Sequence, residues 1–366
     1  REAAAPELML DARIQTDSEL SAPILAQAMG WATYPSMAGD VAVLLGLELG
    51  KGRSAATLEV DSDDFDLRFD PTPSEAGAAY GFRARPLKAS FRAEWTPAGP
   101  LDSLTGSGTL TAAACSFGRD NLEDLDLEGR FIDRSLRLEP VSAKTPLGGE
   151  VRGTATFLFP AAGSRSIRAD VRGRNLEFTP FTTRLSALCA PVFAFQEYPW
   201  NLTSTTRIDG HLQLAATGAG LHDFLRSVRG TGELAFSAGT VSGSPLLDWL
   251  IPPRGTPGAR SLAGGDSRFV AQDGRFDIDA NFRWPSHELS LRGQASTNGQ
   301  IDYLLPPTCL FDDVFLREHG AEIPTGCLRI RGSVSSPEIQ LPDPEEWIKA
   351  AREGELSEAI NRLISR

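Results

Sequence analysis

Long apolar runs are missing from this sequence. It contains no stretch of about 18 or more consecutive apolar residues, which is the length that a membrane-spanning helix needs. It also lacks an N-terminal leader with a basic start and a cleavage site, and it begins at Arg1 without a methionine. We therefore expect a processed piece whose own N-terminal anchor or leader has been removed.

Positive charge is scarce as well. Lys and Arg number 36 against 48 Asp and Glu, which gives a formal net charge of -12. The acidic residues are spread along the chain rather than gathered in a tail. Because a nucleic-acid surface needs a concentrated basic stripe, we expect no nucleic-acid partner.

Cysteine is rare, with four residues in the whole chain and no CxxC pair. No histidine stands at zinc-ligand spacing from any of them, so we expect no metal site. Cys309 and Cys327 lie close enough along the chain to close a short excursion as a disulfide. Two separate buried thiols fit the sequence equally well, and a bridge would indicate an oxidising compartment.

Catalytic motifs are absent. The sequence has no GxSxG elbow, no HExxH pair and no phosphate-binding loop of the Walker type. The four histidines, His211, His222, His287 and His319, are scattered among residues that supply no catalytic partner. We therefore expect a protein that is not an enzyme and that binds no cofactor.

What the sequence does contain is alternation of apolar and polar residues. In Phe276–Trp284 every second residue is apolar, which predicts a strand with one buried and one solvated face. Asp273-Gly274 is a favoured two-residue turn, so Phe269–Ala271 should pair with this strand as a hairpin.

Most of the remaining chain repeats this pattern. We predict a mainly β fold in which successive strands form an antiparallel meander, because their connections are short and rich in Gly, Pro, Asn and Asp. Thr57–Phe69 is interpreted as a further hairpin around the acidic turn Asp61–Asp64. The strands predicted elsewhere are Asp40–Gly50, Phe82–Ala84, Leu87–Trp95, Gly108–Ala112, Leu125–Phe131, Leu136–Val141, Gly149–Phe159, Ile167–Val171, Arg207–Ala216, Gly232–Phe236, Leu289–Gln294, Gln300–Leu304, Leu328–Val334 and Glu338–Leu341.

A few short helices interrupt the strands. The last of them, Pro344–Ile364, has apolar residues at helical spacing and a polar face of mixed charge. A membrane-surface helix usually has a basic polar face, so we favour a cap on the sheet over a membrane contact. The other predicted helices are Ser21–Met29, Thr179–Phe195, Leu221–Val228 and Ser244–Leu250.

Glycines recur in a fixed order with alternating apolar residues in the second half of the chain. The segments concerned are Gly210–Leu214, Leu221–Val228, Gly230–Gly243, Asp273–Ile278, Gly299–Tyr303 and Gly332–Ile339. This order resembles the C-terminal region of the AsmA-like family, which is related to TamB and YhdP. Leu101–Phe178 is similar to the upstream β-repeats of the same family.

The resemblance implies an elongated, twisted antiparallel sheet curled into an apolar groove. It implies two regions of one continuous sheet, with 1–200 as upstream β-repeats and 201–366 as the C-terminal region ending in the capping helix. It further implies a periplasmic protein, tethered to the inner membrane, that takes part in intermembrane lipid transport and outer-membrane integrity. Its partners would be phospholipid or another acyl lipid, the envelope membranes, and other envelope proteins that extend the groove.

An apolar sheet face has to be covered by another sheet, by helices or by a ligand, and acyl chains are a suitable ligand. A closed sandwich or barrel core explains the same residues, and a β-rich module that binds protein partners through its sheet edges remains the alternative function. The residues predicted to line a lipid groove are Leu212, Leu214, Leu234, Phe236, Phe276, Ile278, Phe282, Leu289, Leu291, Ile301 and Tyr303.

Overall fold

The structure is a computed structural model, and it confirms a mainly β, antiparallel fold with little helix. The chain divides into two compact units, residues 1–174 with 217–219, and residues 175–216 with 220–366, so the division falls before the predicted one at 200. The residues described are 7–15, 36–50, 52–69, 80–96, 102–117, 120–161, 163–178, 203–219, 221–242, 259–285, 287–306, 317–318, 323–324, 326–333, 336–341, 343, 345–346 and 348–349.

The first unit contains the longest strands of the chain. Alternating apolar and polar residues, interrupted by short turns, produce them, as expected for antiparallel strands with one solvated face. The strands are β1 (Glu7–Gln15), β2 (Ser36–Ala38), β3 (Asp40–Glu48), β4 (Ser54–Ser62), β5 (Phe65–Phe69), β6 (Tyr80–Trp95), β7 (Thr105–Phe117), β8 (Asp120–Ile132), β9 (Ser135–Lys144), β10 (Glu150–Leu158) and β11 (Arg165–Leu176).

Pairing in the first unit follows chain order from β6 onwards, whereas the earlier strands pair partly out of order. Strands β6 to β11 pair each with the next, and β4 joins β3 to β6. The hairpin predicted over Thr57–Phe69 is wrong, because β4 and β5 both pair with the 16-residue strand β6, one beyond the other. Strand β2 pairs with β5, and β1 pairs with β3.

The turns hold the strands in this register. Asp133 and Arg134 form a two-residue connection between β8 and β9, and their φ angles of 50° and 58° are left-handed, as a type I′ turn requires. At the β9–β10 turn, the Thr145 hydroxyl accepts a hydrogen bond of 2.9 Å from the Gly149 N–H.

The described residues of the second unit form shorter strands and a short helix. The helix, α1 (Leu221–Arg226), confirms the helix predicted over Leu221–Val228. The strands are β12 (Thr203–Ser204), β13 (Ile208–Gly218), β14 (Arg229–Phe236), β15 (Gly239–Ser242), β16 (Ala259–Leu262), β17 (Gly264–Gln272), β18 (Arg275–Trp284), β19 (His287–Ser296), β20 (Gln300–Leu305), β21 (Leu328–Ser333) and β22 (Ser336–Gln340).

Eight of these strands form an antiparallel sheet in the order β13, β14, β17, β18, β19, β20, β21, β22. Strands β12, β15 and β16 form a separate three-stranded sheet. The predicted hairpin is confirmed as β17 and β18, and Asp273 and Gly274 at its turn have φ angles of 50° and 72°.

The other predicted helices lie outside the described residues, the last of them apart from a few isolated positions. They are Ser21–Met29, Thr179–Phe195, Ser244–Leu250 and Pro344–Ile364. Among the described residues, no helix has the length and apolar character that crossing a bilayer requires.

The disulfide considered from the sequence is not formed. Cys327 is a free, exposed thiol, and Cys309 lies outside the described residues. The bridge therefore provides no indication of compartment.

Candidate functional site

The residues predicted to line a lipid groove do come together, on one face of the eight-stranded sheet of the second unit. Leu212 lies in a register row that runs through Phe269 and Ile278 to Tyr303. The neighbouring rows contain the other predicted residues. The sequence therefore predicted the membership of this face correctly.

This face is a closed core. Phe282 and Tyr303 are 0% exposed, and Leu289 is 1% exposed. Side chains on an open sheet would keep part of their surface accessible, so these are covered by the protein's own atoms. The predicted residues that are buried are Leu234, Phe236, Phe276, Ile278, Phe282, Leu289, Leu291, Ile301 and Tyr303.

Aromatic contacts contribute to this core. The Phe282 ring lies 5.4 Å from the Phe236 ring and 6.1 Å from the Trp284 ring, measured between centroids. Of the eleven predicted residues only Leu212 and Leu214 remain partly exposed. The alternative interpretation, a packed core, therefore describes the other nine, and a lipid-lining role for them stays a prediction that requires the cover to open.

A second apolar face lies in the first unit, on strands β3, β4 and β6 to β11. Three register rows cross these eight strands without a charged or hydrogen-bonding side chain. The rows are Leu45, Leu58, Phe91, Gly108, Gly129, Leu138, Ala155, Ala169; Leu47, Ala56, Ala93, Gly106, Phe131, Leu136, Phe157, Ile167; and Val43, Val60, Ala89, Leu110, Leu127, Val141, Gly153, Val171. We call these residues the apolar face.

The dimensions of the apolar face follow from strand geometry. Neighbouring strands lie about 4.8 Å apart, so the seven spacings between β3 and β11 give a length of about 34 Å across the strands. The three rows are two residues apart, which gives a width of about 14 Å along the strands.

The apolar face is left partly open, in contrast to the core of the second unit. Leu58 is 37% exposed and Phe91 is 36% exposed, and almost all the other large side chains in the three rows are partly exposed. Contiguous apolar surface of this kind is typical of a binding site. The first unit thus has an accessible apolar face that a ligand could cover, whereas the apolar face of the second unit is already buried by protein atoms.

One margin of the apolar face is closed. Ala84 and Leu87 of β6 are buried there with Ala112 and Cys115 of β7 and with Leu125 of β8. The buried position raises the pKa of the Cys115 thiol to about 11, which leaves it protonated and makes it a poor nucleophile. Cys115 is therefore a packing residue.

The Phe91 ring of β6 packs on two glycines of β7. A Cβ atom added at Gly106 or Gly108 would come within 2.8 Å of the Phe91 ring, so the ring lies directly over both positions. Larger residues there would push the ring off the sheet. Because the glycines have no side chains, they add no bulk to the middle of the apolar face.

Charged side chains of the first unit lie on the opposite face and at the strand ends, mostly as exposed ion pairs. Lys144 donates a hydrogen bond of 2.8 Å to Asp124, which raises the lysine pKa. Arg85 donates two hydrogen bonds to Asp64 and so lowers the pKa of that carboxyl. Such exposed pairs stabilise little and indicate a solvated surface.

A depression with a volume of about 800 Å³ lies on that polar surface in the first unit, beside Lys144, Arg152 and Arg172. Its carboxylates and cations alternate, and nothing in it resembles a catalytic pair. Within the described ranges, no group of three or more His, Cys, Asp or Glu is arranged to hold a metal ion.

The apolar face was not predicted, because the register that joins its strands into three rows cannot be derived from alternation within each strand. At the closed margin even the alternation is interrupted. Ala84 and Leu87 are three residues apart, and so are Ala112 and Cys115 on the paired strand. The exposed pairs Arg85-Pro86 and Ala113-Ala114 are inserted between them. The signal that remained was the series of strand predictions from Leu87 to Val171, without their register.

Comparisons with protein-family models, with curated proteins and with solved structures found no match. The AsmA-like resemblance therefore stays a prediction.

Proposed function

We propose that this protein binds acyl lipid on the apolar face of the first unit and does so without catalysing a reaction. The observation that carries the proposal is the combination of three continuous apolar rows with partial exposure of their side chains. A ligand that covers such a face has to be apolar along its whole length and needs no hydrogen-bonding partner. Phospholipid acyl chains meet both conditions.

The size of the apolar face fits this ligand. The hydrocarbon core of a bilayer is about 30 Å thick, so one leaflet of acyl chains spans about 15 Å. The face is about 34 Å long and about 14 Å wide, which is room for more than one chain. Each buried methylene group contributes about 0.8 kcal/mol, and no single contact along the rows is strong. A bound chain could therefore slide along the rows.

The setting that the family resemblance implies completes the proposal. A chain of this kind, tethered to the inner membrane and projecting into the periplasm, would hold phospholipid on its way between the envelope membranes. The contribution of this protein would be continuity of apolar surface rather than chemistry. Other envelope proteins would extend that surface.

Native mass spectrometry of the purified chain, followed by organic extraction, tests the proposal. We expect phospholipid in reproducible stoichiometry. The double variant Leu58→Glu with Leu138→Glu places two charges in the central row, where both side chains are partly exposed. It should lose the lipid and weaken binding of a fluorescent fatty acid at least tenfold, equivalent to about 1.4 kcal/mol.

The matched control is Leu304→Glu. Leu304 is 45% exposed on the outer face of the second unit and lies outside the apolar face. This variant should keep both the lipid and the fluorescent probe. A folded wild-type chain that carries no lipid and takes up no probe would contradict the proposal and favour the alternative module, whose partners cross-linking at the sheet edges would identify.

A further inference from the structure

The strand ends at the β8–β9 and β10–β11 turns expose large apolar side chains on both sides of the sheet, with Ser135 and Ser166 as the intervening residues of the outer row. Elsewhere on these strands, the outer face carries residues such as Glu128, Arg130 and Arg152. In the last outer row before the turns, the polar pattern stops at Ile132 of β8 and Leu158 of β10. These side chains are 51% and 39% exposed.

The two residues are neighbours in a row that crosses the ends of the strands. Ile132 and Leu158 are both in register with Ser135 of the strand between them. They are therefore two strands, or about 10 Å, apart. The row that they form contains no charged residue.

Phe159 connects this row to the apolar face. Its ring centroid lies 6.2 Å from that of Phe131, which belongs to the row of the apolar face nearest the β8–β9 turn, and Phe159 itself is 36% exposed. The Phe159 N–H donates a hydrogen bond of 2.8 Å to the Arg134 carbonyl, so the two turns are fixed together. Pro160 and Ala161 follow, also exposed and uncharged.

We propose that Ile132, Leu158 and Phe159, which we call the apolar tip, insert into the interface of a lipid bilayer. This inference rests on the proposed function, since it names the membrane contact through which the apolar face would exchange lipid. Apolar side chains that are exposed on both sides of the strand ends are all removed from water when one apolar phase surrounds them. A partner protein that buried only one side would leave the other exposed.

Continuity with the apolar face favours a bilayer as the occupant. An acyl chain that leaves the face across Phe131 meets Phe159 next and remains covered. Ile132 and Leu158 follow on the outer side of the same strand ends. A lipid-binding face needs an apolar connection of this kind to the membrane, because acyl chains are collected from a membrane rather than from water.

The charges around the apolar tip are balanced. Arg134 forms an ion pair with Asp102, and Asp133 and Arg165 flank the turns with opposite charge. No net positive charge is present to attract anionic lipid, so insertion depends on apolar area alone. Binding should therefore occur on uncharged vesicles and persist at high salt, where exposed ion pairs are screened.

Co-flotation of the full chain with phosphatidylcholine vesicles tests the inference, at physiological and at high salt. The test variant is Ile132→Thr with Leu158→Thr, because threonine suits an exposed strand position and preserves the fold. The control is Leu147→Thr. Leu147 is 63% exposed in the β9–β10 turn, at the opposite strand ends.

We expect the wild-type chain and the control to float with the vesicles at both salt concentrations, and the double variant to bind about tenfold less. Binding of the fluorescent fatty acid in solution should be equal in all three, because no substituted residue belongs to the apolar face. That second readout separates the two proposals.

Equal flotation of the double variant and the wild-type chain would overturn the inference, and so would a wild-type chain that binds the probe but not the vesicles. A wild-type dimer that the double variant dissociates, with no vesicle binding, would assign the tip to a second copy of the chain and overturn it as well. A wild-type chain that binds no fluorescent fatty acid, but floats with the vesicles while the double variant does not, would overturn the proposed function and support the membrane contact.

Discussion

Truncation of one phenylalanine in each unit distinguishes a filled core from an open face. Phe282 is fully buried between the Phe236 and Trp284 rings. Phe282→Ala removes the transfer free energy of the ring and leaves a cavity, so the free energy of unfolding should fall by about 3–5 kcal/mol. Phe91→Ala is the matched change on the apolar face. Because Phe91 is 36% exposed and the site opens to solvent, no closed cavity forms and the loss should be about 1 kcal/mol.

Hydrogen exchange, measured segment by segment with mass spectrometry, is the suitable assay. It gives an opening free energy for each unit separately and does not require the whole chain to unfold in one step. Phe282→Ala should speed exchange in β17, β18 and β19, and Phe91→Ala should have little effect on β6, β7 and β8. Equal decreases of the opening free energy in the two variants would refute the distinction between the buried face and the apolar face. In that case, the nine buried residues predicted from the sequence would again be candidates for an open groove.

Two further predictions concern the backbone and the thiols. Gly230→Ala should lower the free energy of unfolding by about 3 kcal/mol or more, because φ is +142° and the new Cβ would lie 1.9 Å from the Gln213 carbonyl oxygen. Urea denaturation checks this. In the control Gly52→Ala, the new Cβ meets nothing within 4 Å, so the free energy of unfolding should change by less than about 0.5 kcal/mol. Alkylation near neutral pH, mapped by peptide, should modify exposed Cys327 first and spare Cys115, whose thiol is buried with a pKa of about 11; rapid alkylation of Cys115 in the folded chain would show that the closed margin of the apolar face is open.

The sequence predicted the strands and the second-unit sheet well because local signals determined them. Phe276 to Trp284 alternate without interruption, and the Asp273-Gly274 turn fixes their pairing with the strand before them. A one-residue slip would have moved every apolar side chain to the solvent face. Membership of the buried face therefore followed from the pattern alone.

The cover of that face could not be predicted. Alternation shows that Phe282 and Leu291 point to the same side, but it does not show whether a ligand or the chain itself lies above them. Burial of 0% and 2% answers that question, and only the folded chain provides it. The same limit applied to the Thr57–Phe69 hairpin, since the length of β6 decides that β4 and β5 both pair with it.

The connections between the later strands of the first unit are too short to cover its apolar face. The turn between β8 and β9 has two residues, and those between β9 and β10 and between β10 and β11 are also short. Connections of this length cannot fold back across about 14 Å of sheet, so they leave the face to whatever else reaches it. In the described structure that cover is incomplete from β4 to β11, and the exposed apolar side chains continue from the face onto the turns at Phe159. An apolar surface that continues around an edge, rather than ending at a polar rim, is what a protein needs if it is to collect lipid from a membrane instead of storing it.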